Sequence, residues 1–138
     1  MHLKCQYKVV SNGSSLTPLL EITQGSETSD YMIVMYKMPL GSLRNNLLIK
    51  KYNPNDKFRN LWMILAQLET IHKLDLIHRD FHNGNILYLS HKTLLISDLR
   101  LCRSVDQPNM KNGDTYGVLP YIAPEVLRGK PYTKAADI

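Results

Sequence analysis

The residues best placed to do chemistry lie in Ile77-His78-Arg79-Asp80-Phe81-His82-Asn83-Gly84-Asn85-Ile86-Leu87, a short polar loop between two apolar runs. Asp80 and Asn85 are five positions apart, so their oxygens could converge on one hydroxyl and one metal-bound phosphate. A carboxylate can take the proton of a hydroxyl, and an amide oxygen is a hard ligand of the kind Mg²⁺ accepts.

Such a loop needs rigid elements on both sides. Upstream, Asn53-Pro54-Asn55-Asp56 reads as a helix start, with Asp56 complementing the N-terminal dipole. Phe58, Leu61, Leu65, Leu68 and Ile71 follow at three- and four-residue steps, with Trp62 and Ile64 widening the stripe, which predicts an amphipathic helix leading into the loop. Asp75 falls in the tight turn between them, where tolerance of left-handed backbone is useful. Downstream, Ile86-Leu87-Tyr88-Leu89 and Leu94-Leu95-Ile96 flank Ser90-His91-Lys92-Thr93 and predict a hairpin, with Asp98 emerging from its second strand. Nearer the N-terminus, Thr17–Thr23 suggests a strand that Pro18 confines to an edge or a start. Tyr31–Tyr36 is a continuous apolar run and predicts a buried strand. Ser42 can cap a short helix through Leu48, Ser11–Ser15 reads as a turn or flexible loop, and a helix start is expected at Pro124.

Together these landmarks resemble the C-terminal lobe of a eukaryotic-type protein kinase. The loop has the H-R-D-x-x-x-x-N spacing of the catalytic loop, Asp98 follows Asn85 at the interval of the D-F-G aspartate, and Ala123-Pro124-Glu125 is an A-P-E motif. The resemblance implies an α+β fold with the last N-lobe strands, a hinge and the first half of the helical C-lobe. Residues 1–15 stay unassigned and 16–138 form the partial kinase domain. It implies transfer of the ATP γ-phosphate to a Ser/Thr or Tyr hydroxyl of a protein substrate, with ATP and Mg²⁺ as cofactors. Asp80 would be the proton acceptor, Arg79 would receive a phosphate from the activation segment, and His82 would stand beside the transferring phosphate. Asn85 and Asp98 would hold the metal, and Met35, Tyr36 and Lys37 would lie where the nucleotide enters, with Lys37–Gly41 as the hinge. Leu101–Ile122 would be the activation segment, with Ser104, Thr115 and Tyr116 as phosphorylatable candidates. Asp137 would brace the catalytic-loop backbone. Gly41-Ser42-Leu43 and Tyr121 point to the tyrosine-kinase-like and serine/threonine branches.

Several positions depart from the family pattern. The D-F-G motif is Asp98-Leu99-Arg100, which keeps an apolar plug but loses the pivoting glycine. His82 replaces a lysine, and Val118 replaces a threonine that would reach the catalytic Asp. A G-x-G-x-x-G phosphate loop and a V-A-I-K strand are both missing from the sequence. A pseudokinase or interaction module without turnover, or an inert truncated product, is therefore kept as an alternative. On the same comparison, the chain by itself is expected neither to melt cooperatively nor to turn over ATP.

Other classes are disfavoured by composition. The formal net charge is +5, but Lys50-Lys51 is the only adjacent basic pair and carries no aromatic interleaving, so no nucleic-acid partner is expected. Cys5 and Cys102 are too few and too far apart for a disulfide scaffold or a zinc site. The N-terminus lacks a signal-peptide core and no apolar run would span a bilayer, so a cytoplasmic protein without membrane partners is expected. His72, His78, His82 and Asp80 crowd one segment, but a transition-metal cluster would need all four side chains to converge. Kinase geometry turns His78 inward and Asp80 toward the cleft.

Overall fold

A long helix and a hairpin flank the loop. The computed structural model describes residues 8–9, 16–28, 30–49, 53–106 and 117–138. In chain order the elements are β1 (Leu19–Gln24), β2 (Tyr31–Met35), α1 (Leu43–Ile49), α2 (Pro54–Lys73), β3 (Leu76–Ile77), β4 (Ile86–Ser90), β5 (Thr93–Ile96), β6 (Arg103–Ser104) and α3 (Pro124–Leu127). Single 3₁₀ turns occupy Leu99–Leu101, Leu119–Tyr121 and Lys134–Asp137. Among the described residues the strands pair as two-stranded antiparallel ladders, β1 with β2, β3 with β6 and β4 with β5, with one further bridge between Ser42 and Leu87 of β4. No described helix is long and apolar enough to cross a membrane.

Local chemistry sets the ends of α2 where the sequence predicts. The Asn53 side chain accepts from Asp56 N at 2.8 Å, and Pro54 occupies the first turn, where a missing N–H costs nothing. The helix closes at Leu74, and Asp75 turns the chain with φ 55°. Ser42 likewise caps α1, accepting from Asn45 N at 3.3 Å.

The face that α2 buries differs from the predicted stripe. Asn60, Ile64, Gln67, Leu68 and Ile71 face inward, whereas Phe58, Leu61, Trp62 and Leu65 are exposed, Phe58 at 77%. The helix carries apolar residues on two sides, and periodicity alone cannot choose between them. Polar fit makes the choice: Gln67 Nε2 donates to Leu94 O at 2.8 Å while its Oε1 accepts from Ile96 N at 2.9 Å. One side-chain amide thereby mimics a peptide unit against the outer edge of β5. Asn60 Nδ2 donates to Tyr88 Oη at 2.8 Å on the same face.

Two apolar clusters form around this contact. Ile64, Ile86, Tyr88 and Leu94 make one, and Leu68, Ile71, Leu76, Ile96, Leu99 and Cys102 the other, joined by Val9 and Leu16. Burying a side chain of this kind stabilises by about 1.5–3 kcal/mol, so the clusters hold the loop's flanks in place. Val9 is fully buried, a contribution the mixed N-terminal sequence does not announce. The turn expected at Ser11–Ser15 lies outside the described residues.

A second correction concerns β2. Tyr31, Met32 and Val34 are exposed rather than buried, because β2 pairs with β1 alone among the described residues and only Ile33 and Met35 are half-buried. Strand β1 starts at Leu19, two residues later than predicted, since Thr17 turns away to bond Ile96 O.

Replacing Gln67 tests the helix-to-strand contact. Gln67→Leu leaves Leu94 O and Ile96 N buried without partners, a loss of about 2–3 kcal/mol. Amide hydrogen exchange at Ile96 is expected to accelerate more than tenfold as a result.

Candidate active site

Backbone bonding puts the loop in place before any side chain acts. Asp137, only 4% exposed, accepts from His78 N at 2.8 Å through Oδ2 and from Arg79 N at 2.9 Å through Oδ1. His72 Nε2 lies 2.9 Å from Oδ2. Arg79 itself has φ 69°, a left-handed conformation that non-glycine residues adopt at a cost of roughly 1–2 kcal/mol. The two charge-assisted bonds hold it there.

His78 links this loop to the strand that precedes Asp98. Its Nδ1 accepts from Asp80 N at 3.3 Å, so Nε2 carries the proton and donates to Ser97 O at 3.1 Å. The ring is fully buried and meets Phe81 edge-on. Ser97 N in turn donates to Asn85 O at 2.8 Å, and Ser97 Oγ to the same oxygen at 3.1 Å. The residue before Asp98 is thus bonded to both ends of the loop.

Asp80 and Asn85 meet directly. Asn85 Nδ2 donates to Asp80 O at 2.8 Å and to Asp80 Oδ2 at 3.1 Å, which spends both amide protons and leaves the Asn85 oxygen as an acceptor on the other side. His82 Nδ1 accepts from Gly84 N at 3.0 Å, which aims Nε2 toward Asp80 Oδ1, 3.6 Å away. Gly84 allows this seat, since a Cβ there would come within 2.8 Å of the His82 ring. Gly117, with φ 129°, packs against the opposite side of Asp80, and a Cβ there would lie 3.6 Å from Oδ1.

Asp98 has φ 63° and caps the 3₁₀ turn that follows it. Burial pushes its carboxyl up, but the Arg100 guanidinium more than offsets this, so it sits below the ordinary carboxylate value. Met35 and Asp98 line one shallow cavity together with Leu16, Thr17 and Ile96. Tyr36 and Lys37 are exposed beyond the end of β2, and Tyr36 N bonds Pro18 O at 3.2 Å. Of the residues predicted for the nucleotide, the structure thus sets Met35 beside Asp98 and leaves Tyr36 and Lys37 on the surface.

Arg79 stacks its guanidinium 4.5 Å from the centre of the Tyr132 ring. Burial and the nearby Arg103 guanidinium pull its pKa below the ordinary arginine value. Its Nε is buried without a hydrogen-bond partner. Ser104 lies in β6, paired with Leu76, whereas Thr115 and Tyr116 fall outside the described residues. The histidines do not converge: His72 turns to Asp137, His78 to Ser97 and His82 to Gly84, and no metal-binding group forms among the described residues.

Three contributors escaped sequence reasoning. Ser97 joins the loop to the Asp98 strand, Tyr132 covers Arg79, and Arg44 Nε holds Asn83 Oδ1 at 3.1 Å. None stands in a motif, and only Ser97's place beside Asp98 could have flagged it.

Two measurements probe this scaffold. Asp137→Asn turns one acceptor into a donor facing a backbone N–H, which is expected to destabilise the loop by about 2–3 kcal/mol and to release the His78 and Arg79 amides to exchange. Burial also pulls the His78 imidazole below the ordinary histidine value of 6.5. The unfolded chain then takes up a proton here that the folded chain refuses, so this contribution to stability is full above pH 6.5 and declines as pH falls below it. In ring NMR, His78 should stay neutral at a pH where free imidazole in the same tube is half-protonated.

Comparison with known proteins identifies the family. The protein kinase domain family matches residues 9–138. A serine/threonine-protein kinase H1 homolog of Danio rerio is 29% identical over 130 residues, covering 88% of this chain and 30% of that protein. The chain therefore spans under a third of the length of this curated relative. With the family match covering nearly its whole length, the chain belongs to the protein kinase domain family.

Proposed function

We propose that this chain is the catalytic-loop portion of a protein kinase that transfers the ATP γ-phosphate to a serine or threonine hydroxyl of a protein. The observation that carries this reading is the Asn85 amide bonded to Asp80 O and Oδ2 at 2.8 and 3.1 Å. That bond fixes a carboxylate and an amide oxygen side by side on a braced loop. Asp80 accepts the hydroxyl proton through Oδ1, the oxygen that faces His82 and Gly117. His82, anchored by Gly84 N, presents its Nε2 proton beside that oxygen and orients it. The relative's name supports serine or threonine over tyrosine.

The donors suit the expected cofactors. Asn85 offers a free amide oxygen and Asp98 an ionised carboxylate, the hard ligands that Mg²⁺ selects. Bound there with ATP, Mg²⁺ would supply charge neutralisation on the phosphates. Met35, with the cavity it shares with Asp98, fits the side of the site where the nucleotide sits, and Tyr36 and Lys37 continue toward solvent from it. Arg79 is the receiver for a phosphorylated activation segment, with an unpaired Nε and a neighbouring Arg103 to complete an anion-binding pair. Two cysteines and the lack of a membrane-crossing helix among the described residues support a cytoplasmic setting.

One observation favours a second reading. Arg100 bonds both oxygens of Asp98, so a module that binds nucleotide or a partner protein without turnover is the alternative. Asp80→Asn separates the two. In the protein that carries this chain, it is expected to lower phosphate transfer about 10²–10⁴-fold while nucleotide binding changes little. Radiolabelled-phosphate transfer measured beside fluorescent-nucleotide binding reads both, and transfer equal to that of the unaltered protein would exclude Asp80 as the base.

A further inference from the structure

Asp98 already holds a cation. Arg100 Nε donates to Oδ1 and Nη2 to Oδ2, each at 2.6 Å, so the planar guanidinium engages both carboxylate oxygens at once. The backbone joins in, with Arg100 N donating to Oδ1 at 3.3 Å.

The local fold produces this fork. Left-handed Asp98 caps the 3₁₀ turn Leu99–Leu101, and the tight turn brings residue 100 back over residue 98. Leu99 is buried and anchors the turn from below, while the Arg100 side chain is 71% exposed against 23% for Asp98. The arginine therefore covers the carboxylate from the solvent side, and it can leave without disturbing the core. A Lys at position 100 could not reproduce the planar two-point match.

We propose that Arg100 is a tethered competitor for the metal site, whose guanidinium must be displaced from Asp98 before a divalent cation can bind there. The proposal rests on reading Asp98 as a metal ligand. An approaching divalent ion meets both a filled carboxylate and a positive charge within a few ångströms of it, so binding includes the breaking of this pair. Like charges that close repel, and a two-point charge-assisted pair is stronger than a single contact. Because the guanidinium is mostly exposed, the competition is modest, about two- to fivefold in apparent affinity. Arg100 thereby sets how much divalent cation the site requires. Once displaced it remains a mobile cation beside Asp80 and Asp98, whose charges both raise its pKa.

Mn²⁺ alone, titrated into the protein that carries this chain and followed by the EPR signal of the free ion, tests this without requiring phosphate transfer. Arg100→Ala is expected to bind Mn²⁺ about two- to fivefold more tightly than the unaltered protein. Arg100→Gln, which keeps a long side chain without the charge, should show the same gain, and Asp98→Asn should abolish it in either background. Equal affinity in the unaltered and Arg100-substituted chains, with binding still lost in Asp98→Asn, would overturn the competitor while leaving Asp98 a ligand. Binding indifferent to Asp98→Asn would overturn both, because the ion would then sit elsewhere.

Discussion

A single buried carboxylate sets the geometry of the loop. Asp137 takes the N–H groups of His78 and Arg79 on its two oxygens and has His72 alongside. A left-handed arginine costs roughly 1–2 kcal/mol, and each hydrogen bond to a charged acceptor returns about 1.5–3 kcal/mol. Two such bonds return more than the left-handed backbone costs, so the balance favours the strained loop. Direction follows from that: with the chain reversed at Arg79, Asp80 points away from the core and toward Gly117, and Asn85 closes back onto it.

The rest of the site is built by main-chain contacts in which side chains serve as spacers. The His78 ring fixes the gap between the Asp80 amide and the Ser97 carbonyl, and it can do so only as the neutral Nε2–H tautomer. Protonation would leave the Asp80 amide facing a second donor. Burial therefore does more than hide an aromatic ring: it selects the one protonation state compatible with the loop. Asp98, one residue beyond Ser97, inherits its position from this chain of bonds.

Much of this was legible because short-range chemistry dominates it. The Asn53 cap, the turn at Asp75 and the hairpin around Ser90–Thr93 all follow from residues close in sequence, whereas the inward His78 and the grouping of Asp80, Asn85 and Asp98 came through the resemblance to kinase motifs. Asp137 was also foreseen, though only through family resemblance. The misreadings came from partners far along the chain. Phe58, Leu61 and Leu65 fit a helical stripe, yet the strand they would have faced instead meets Gln67, and no count of apolar positions can report a hydrogen bond to residue 96. β2 read as buried because its composition is apolar, while its exposure depends on what lies over it. The Asp98–Arg100 fork was hidden for a different reason. In an extended strand such side chains would share a face but stand too far apart for a two-point contact, and it is the left-handed backbone at Asp98 with the 3₁₀ turn after it that brings them together.

Gln67 and Thr17 have an effect on β5 that goes past packing. Three groups along that strand are taken: Leu94 O and Ile96 N by the Gln67 amide, and Ile96 O by Thr17 N at 3.3 Å and Oγ1 at 3.1 Å. A bare strand edge of this apolar composition is a template on which another chain can add. Here one amide and one threonine occupy three of its groups, which makes the row of Leu94, Leu95 and Ile96 a poorer template for intermolecular sheet.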